Sequence, residues 1–309
     1  MADLSISRPN TIRAGVATET ALPQRVQIAT TTLGRWGLRL AALSYLAVCV
    51  LVPVLVIATE GVRHGLDVFV QSLTRPAALH AIGLSVWTAA LMTVINVVAG
   101  TLTAYVLVNY KFPGKGLLNA LIDLPFAIPT LVIGVMLVLV YGPQTAIGSF
   151  FGKQLGLPIL FAPPGIVLAL LFISYPFVVR TVQPMFQQLA ADQIEAAHTL
   201  GASPAYTFRR VIFPAIRPAL ITGALLSFAR ALGEFGAIVI VAGNIPMRSQ
   251  VASVYIYSQV ESGDTTAAGS ISIALLAIAF TLTFGLDLWQ TFRRKSPSRA
   301  AALQEKNYA

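Results

Sequence analysis

Six stretches of this chain are apolar over about the length a helix needs to cross a membrane, and no other feature limits its possible folds so strongly. They run roughly over Leu40–Thr59, Ala81–Val108, Leu117–Val140, Gly165–Val179, Ala219–Ala242 and Ala267–Leu288. At 1.5 Å per residue, about 20 apolar residues span a hydrocarbon core of about 30 Å. Inside that layer every backbone N–H and C=O must be satisfied within the protein, so such runs specify helices. The third run is interrupted by Pro125 and Pro129, and the fourth carries Pro176 near its end. The sequence therefore predicts an all-α membrane protein of about six transmembrane helices. With 56% hydrophobic and 11% charged residues, and a mean hydropathy of +0.76, the chain lies far from soluble globular norms. The first run is too long for a signal-peptide core and no A-x-A site follows it, which predicts a retained span.

The polar segments order these spans. Residues 1–35 mix Ser, Thr, Pro and Arg without apolar periodicity and read as a disordered cytoplasmic tail; their arginines also fit an organelle transit peptide. Residues 36–291 read as the membrane domain and 292–309 as a second cytoplasmic tail. Glu60–His80, Tyr141–Pro164 and Gly243–Asp264 read as outside connections, with Val68, Phe69, Val70 and Leu73 placed along the interface. The net charge of +9 would fit nucleic acid on a soluble protein. Here 16 of the 21 basic residues fall in the tails and the alternate loops, against four, Arg63, Arg75, Lys153 and Arg248, on the other side. That asymmetry predicts basic loops against anionic lipid, both termini in the cytoplasm, and no nucleic-acid partner.

Asp192 to Pro214, DQIEAAHTLGASPAYTFRRVIFP, is the one long polar, alanine-rich, helix-patterned interruption. Asp192 is placed as a helix cap, with Glu195 three residues later. Ala196, Ala197 and Leu200 share a helical face by their spacing. Gly201 sits where a left-handed C-terminal cap is needed, Ser203 and Pro204 restart a helix, and Pro214 is the next expected break. The predicted loop, 190–216, is thus a helix, a tight corner and a second helix returning to the membrane. Searches for chemistry return little. Gly114-Lys115 is followed by Gly116, so no G-x-x-x-x-G-K-[ST] phosphate loop is present. His64, His80 and His198 lie in separate segments without zinc-ligand spacing, and no serine–histidine–acid constellation is evident. His198 is expected in solvent or at a partner contact. Cys49 is the single cysteine, so no intrachain disulfide forms.

Charges within the spans are the exceptions. Asp123, in LIDLPFAIP, is read as a polar group satisfied by backbone freed at Pro125. Asp287 lies near the last interface. Arg230 and Glu234, in SFARALGEFGA with Ser227, are four residues apart inside the fifth run and on one helical face, so they can pair. Two roles stay open for them: a neutralised pair that fixes helix packing, or part of a translocation path.

Glu195-Ala196-Ala197, three residues, Gly201, nine residues and Val211-Ile212-Phe213-Pro214 resemble the E-A-A loop of binding-protein-dependent ABC importer permeases, with Val and Phe replacing the usual Ile and Leu. DLPFAIPTLVIG, SYPFVVRTVQP, EAAHTLGAS and SFARALGEFGAIVIVAGNIP together resemble the sulfate/thiosulfate type, over most of residues 40–290. Molybdate permeases are similar at SFARALGEFGA; DLPFAIPT and PFVVRTVQP favour sulfate. The resemblance implies a type I ABC importer transmembrane domain with no ATPase site of its own and no cofactor, ATP and magnesium being held by partners. It implies two ATP-binding subunits docked at the coupling loop (Glu195, Ala196, Ala197, Leu200, Gly201, Pro214), a second similar permease subunit, and an extracytoplasmic sulfate-binding protein. It also places the chain in the inner membrane. The alternatives are a molybdate or tungstate importer and, from another class, an ion channel or scaffold without ATP coupling.

Overall fold

The structure, a computed structural model, describes residues 32–189 and 191–295. The expected N-terminal tail and the end of the C-terminal tail lie almost wholly outside these. Every regular element among the described residues is helical. By internal contacts the chain divides after Val52. The first unit contains α1 (Thr32–Leu46) and a π-helical turn, Ala47–Leu51. Within it the Arg39 guanidinium lies 5.5 Å from the Trp36 ring centre. α2 (Val52–Val62) follows, and Trp36–Val62 forms one apolar run of 27 residues.

The connection expected over Glu60–His80 is largely helical. α3 (Leu66–Thr74) ends at Arg75, and Pro76 opens α4 (Pro76–Asn109), a proline at the first helical position where its missing N–H costs nothing. α3 packs on α4 and the last helix rather than lying free. The third expected span is two helices, α5 (Lys115–Ala127) and α6 (Thr130–Tyr141), bent by 112°. The two prolines behave differently. α5 runs on through Pro125, whereas Pro129 forces the residue before it out of the helical region, and Ile128 is extended at φ −90°, ψ 128°. By length and apolarity five helices can cross a membrane among the described residues, or six if this bent pair counts as one crossing.

The connection expected outside, over Tyr141–Pro164, holds the single turn α7 (Ala146–Ser149) and a π-turn, Phe150–Gln154. α8 (Pro163–Gln188) is longer than the run that predicted it and is the centre of the bundle: 61% of its most apolar window is buried, against 28% or less in the other spans. Its residues Ile173, Val178, Val179 and Val182 are closed off between α4 and the fifth span. Burying side chains of this size against neighbours stabilises helix association through close packing rather than through exclusion of water, because lipid is as apolar as the core.

α9 (Ala191–Thr199) and α10 (Pro204–Thr207) form the polar interruption, and a π-turn, Phe208–Ile212, leads into α11 (Phe213–Leu232). The fifth span ends at Leu232, ten residues short of the boundary expected at Ala242; α12 (Gly236–Val241) is a separate short helix that packs on α6. α13 (Ala252–Glu261) occupies the next connection, and α14 (Thr265–Lys295) is the last span, continuing past the point where the tail was expected to begin.

Candidate functional site: the polar corner and the intramembrane charge pairs

The corner between α9 and α10 follows from its sequence. The Gly201 N–H donates to His198 O at 2.9 Å and Ala202 N–H to Ala197 O at 3.0 Å, the paired bonds of a Schellman cap. Gly201 has φ +77°, a conformation that a β-carbon disfavours by about 1 kcal/mol or more. Ser203 Oγ accepts from Tyr206 N–H at 3.3 Å and Pro204 opens α10. Three local expectations change. α9 starts at Ala191, so Asp192 stands in its first turn rather than before it. Ala197 leans inward and is half-buried like Ile194, while Glu195, Ala196 and Leu200 face outward; Leu200 is 87% exposed. Pro214 breaks nothing, for Pro204–Leu232 is one run of 29 residues. The π-turn explains this. Phe213 N–H reaches back five residues to Phe208 O, and the widened turn accommodates the proline ring that would strike the preceding turn of a regular α-helix.

Two charge pairs lie within the bundle. Arg230 Nη1 and Glu234 Oε2 are 2.6 Å apart. The pair does not ride on a continuous helical face. It bridges the break after Leu232, and Glu234 Oε1 accepts Ala237 N–H at 3.0 Å, capping α12. Ser253 Oγ donates to Glu234 O at 2.7 Å. The Glu234 side chain is 2% exposed and that of Arg230 32%. Ser227, grouped with them by sequence, is turned elsewhere: it is fully buried at the seam of α4, α8 and α11, with Oγ 3.5 Å from Ser174 O and from Met92 Sδ. In the same seam Asn96 Nδ2 donates to Leu171 O at 3.3 Å.

The second pair was missed. Asp123 is not satisfied by backbone freed at Pro125. It receives one edge of the Arg180 guanidinium in a two-point fork, Nε to Oδ1 at 2.7 Å and Nη2 to Oδ2 at 2.6 Å. Arg180 also donates to Asn119 Oδ1 at 3.2 Å, Asn119 O at 3.1 Å and Gln183 Oε1 at 2.8 Å. Reading Arg180 as a loop charge hid this, since α8 runs on to Gln188. The available signal was two opposite charges near the same end of consecutive apolar runs, where neither is cheap alone.

At the opposite end, α14 and the residue before it meet the end of α2, His64 and Arg75. Gly61 and Gly269 cross so closely that a β-carbon on Gly61 would lie 2.8 Å from the Gly269 carbonyl carbon. Ser270 Oγ donates to Gly61 O at 3.0 Å, Thr265 Oγ1 to Glu60 Oε1 at 2.9 Å, and His64 Nδ1 lies 2.9 Å from Thr266 Oγ1. Asp264 Oδ1 caps α14 by accepting Ala267 N–H, and Oδ2 takes Arg75 Nη1 at 3.0 Å. The backbone bond, and Arg75 after it, hold the Asp264 carboxyl below the usual carboxylate range against the opposing effect of burial. Asp264 in turn pushes the Arg75 guanidinium up.

Residues 96–295 match the family model described as binding-protein-dependent transport system inner membrane component. The chain belongs to this family. The permease is 40% identical over 260 residues to the probable sulfate transport system permease protein of Nephroselmis olivacea, covering 84% of this chain and 90% of the relative. It is 39% identical over 251 residues to the sulfate transport system permease protein of Synechocystis, covering 81% and 87%. The corresponding protein of Salmonella typhimurium is 40% identical over 219 residues, covering 71% and 79%. Among solved structures, a bacterial ABC transporter importing the acidic polysaccharide alginate superposes with a TM-score of 0.68 at 16% identity, over 85% of the permease and 96% of that chain. The alginate transporter in complex with its pentasaccharide-bound periplasmic protein gives 0.67, also at 16% identity. The fold is therefore that of an ABC transporter permease, with several membrane-spanning helices.

Proposed function

We propose that this chain is the permease subunit of an ATP-driven importer of sulfate or thiosulfate. The observation that carries the reading is the likeness of about 40% to sulfate permeases along most of both chains. The geometry supports it at Arg230. Among the described residues this guanidinium makes one ion pair and no further hydrogen bond, so it keeps donors for a dianion inside an otherwise apolar span. Glu234 holds the arginine when no anion is present, and exchange of that partner accompanies passage.

The rest of the assembly follows the same reading. The outward face of α9, Glu195, Ala196 and Leu200, with the corner at Gly201, docks on one of two ATP-binding subunits, which supply ATP and magnesium. A second, similar permease subunit completes the path, and an extracytoplasmic binding protein delivers the anion. Closure of the ATPases moves the corner as a rigid body and reorients the bundle. The basic-residue asymmetry supports both termini in the cytoplasm of a multi-pass inner-membrane protein.

The test is uptake of labelled sulfate by cells whose only sulfate importer contains this chain. Sulfate uptake that excess thiosulfate competes, and molybdate does not, is the expected result; accumulation of molybdate alone would overturn the substrate. Gly201→Val and Glu195→Lys should leave the protein in the membrane yet release the ATPase or stop transport, and normal co-purification with normal uptake in both would remove the docking assignment. A reporter active only outside should work after Gly152 and be silent after Ser203 and Arg299.

A further inference from the structure

Beside the polar corner lies a groove of about 550 Å³ that the transport reading does not use. One wall is a strip of α4, Val97, Thr101, Tyr105 and Asn109; the other is Phe208, Ile212, Ile216 and Leu220, leading through the π-turn into α11. Both strips repeat every four residues, so each is one face of a helix. From Val97 to Asn109 the groove is about 18 Å long, close to the ~15 Å depth of half a bilayer core. It changes character along that length. The far end is aliphatic. The near end carries Tyr105, Asn109, His198 of α9 and Thr207. Thr207 is 2% exposed and its Oγ1 is buried without a hydrogen-bond partner, an unmet polar group beneath the polar end of the groove.

Charge identifies the occupant. Arg209 and Arg210 follow Thr207 and Phe208 on the π-turn and are exposed, with no described carboxylate within 4 Å of either. Lys111 lies two residues beyond Asn109 at the same end. We propose that the groove seats one anionic phospholipid, an acyl chain lying between the α4 and α11 strips and the headgroup meeting the hydroxyl, amide and arginine groups at the polar end. A leaflet-length apolar slot with a basic mouth fits a lipid of that charge. A protein helix docked there would leave the two arginines unanswered unless it brought its own acids. Because His198 belongs to both the groove and α9, a seated lipid also braces the corner. The leaflet is the cytoplasmic one in the orientation proposed above, but binding itself does not depend on that orientation or on the substrate.

The assembled transporter, purified from membranes containing phosphatidylglycerol and phosphatidylcholine, is analysed for lipid retained per permease chain. The parent should retain phosphatidylglycerol in preference to phosphatidylcholine. Val98→Phe with Thr101→Phe fills the slot and should lower retention about tenfold. Arg209→Gln with Arg210→Gln should leave some lipid bound but abolish the preference. Leu139→Phe, on an exposed apolar face of α6, is the control and should change neither. Unchanged phosphatidylglycerol retention in the filled variant, with the subunits still together, would overturn the proposal. Loss of the second permease subunit with lipid retention unaltered would also overturn it, by assigning the groove to protein. A parent transporter that retains phosphatidylglycerol selectively, with both variants behaving as expected, but takes up no sulfate would support the lipid site and overturn the transport reading alone.

Discussion

The two arginine–carboxylate pairs of the bundle use the same chemistry in opposite ways. Arg180 joins two helices, α8 and α5, and spends its donors fully: two on Asp123, two on Asn119 and one on Gln183. Arg230 and Glu234 are near neighbours in sequence, and the arginine has one bond. A planar guanidinium with every N–H directed is fixed in place, and its removal leaves several acceptors unmet. A guanidinium held by one contact is free to turn. The carboxylates differ in the reverse sense. Glu234 is buried and anchored by the α12 backbone, whereas Asp123 is half exposed. One pair is therefore built around a fixed arginine, the other around a fixed acid with a movable arginine.

The most damaging way to test this contrast is Arg180→Met. It strands Asp123 and removes four hydrogen bonds between α8 and α5 and one within α8, with an expected cost of about 2 kcal/mol after allowance for partial solvation. Thermal unfolding of the purified complex should show it, and Asp123→Asn in the same chain should recover part of the loss. An unchanged midpoint would mean that the fork is ornamental. Next comes Arg230→Met with Glu234→Gln. It removes both charges at similar volume and avoids the penalty of stranding either one. The complex should assemble and hydrolyse ATP while sulfate import falls at least about tenfold. Near-normal import would assign this pair to packing alone.

The contrast was half legible in the sequence. Arg230 and Glu234 could be paired because four residues on a helix set their separation, although the break at Gly233 was hidden by the apolar residues on either side. Arg180 and Asp123 are 57 residues apart, and no local rule connects them. Their pairing depends on how far α8 extends, and the apolar run, with Pro176 near its end, pointed to an earlier end than Gln188. Prolines misled again at Pro125 and Pro214, which helices absorb, and guided correctly at Pro129. Whether a proline breaks a helix depends on whether packing holds the adjoining turns, which a sequence does not display. The corner at Gly201 was readable because its geometry rests on backbone bonds among adjacent residues.

A smaller effect sharpens the comparison by keeping the charge and removing the fork. Lysine is a compact point charge, so Arg180→Lys loses the two-point grip on Asp123 and most of the bonds to Asn119 and Gln183. Arg230→Lys keeps a single contact to Glu234 within reach. The expected difference in stability between the two variants is about 1 kcal/mol, with Arg180→Lys the less stable. Equal unfolding midpoints would erase the distinction between saturated and spare donors.

The smallest effect belongs to a third pair, Arg75–Asp264, outside the membrane layer. Here, as at Glu234, the acid is fixed by a helix N-terminus and the arginine adds a second contact. Because the folded-state pKa of Asp264 is depressed, its contribution is complete above the unfolded value of about 3.9 and is lost as pH falls through the lower, folded value. Stability should therefore decline in acid below about pH 4, and Asp264→Asn should flatten that part of the profile. Arg75→Met should flatten it less, because the Ala267 N–H outranks Arg75 as the cause of the shift. Both changes should be modest, since the pair is partly exposed and screened. If Arg75→Met flattened the acid limb more than Asp264→Asn, the arginine would be the fixed partner, and the resemblance to Glu234 would fail.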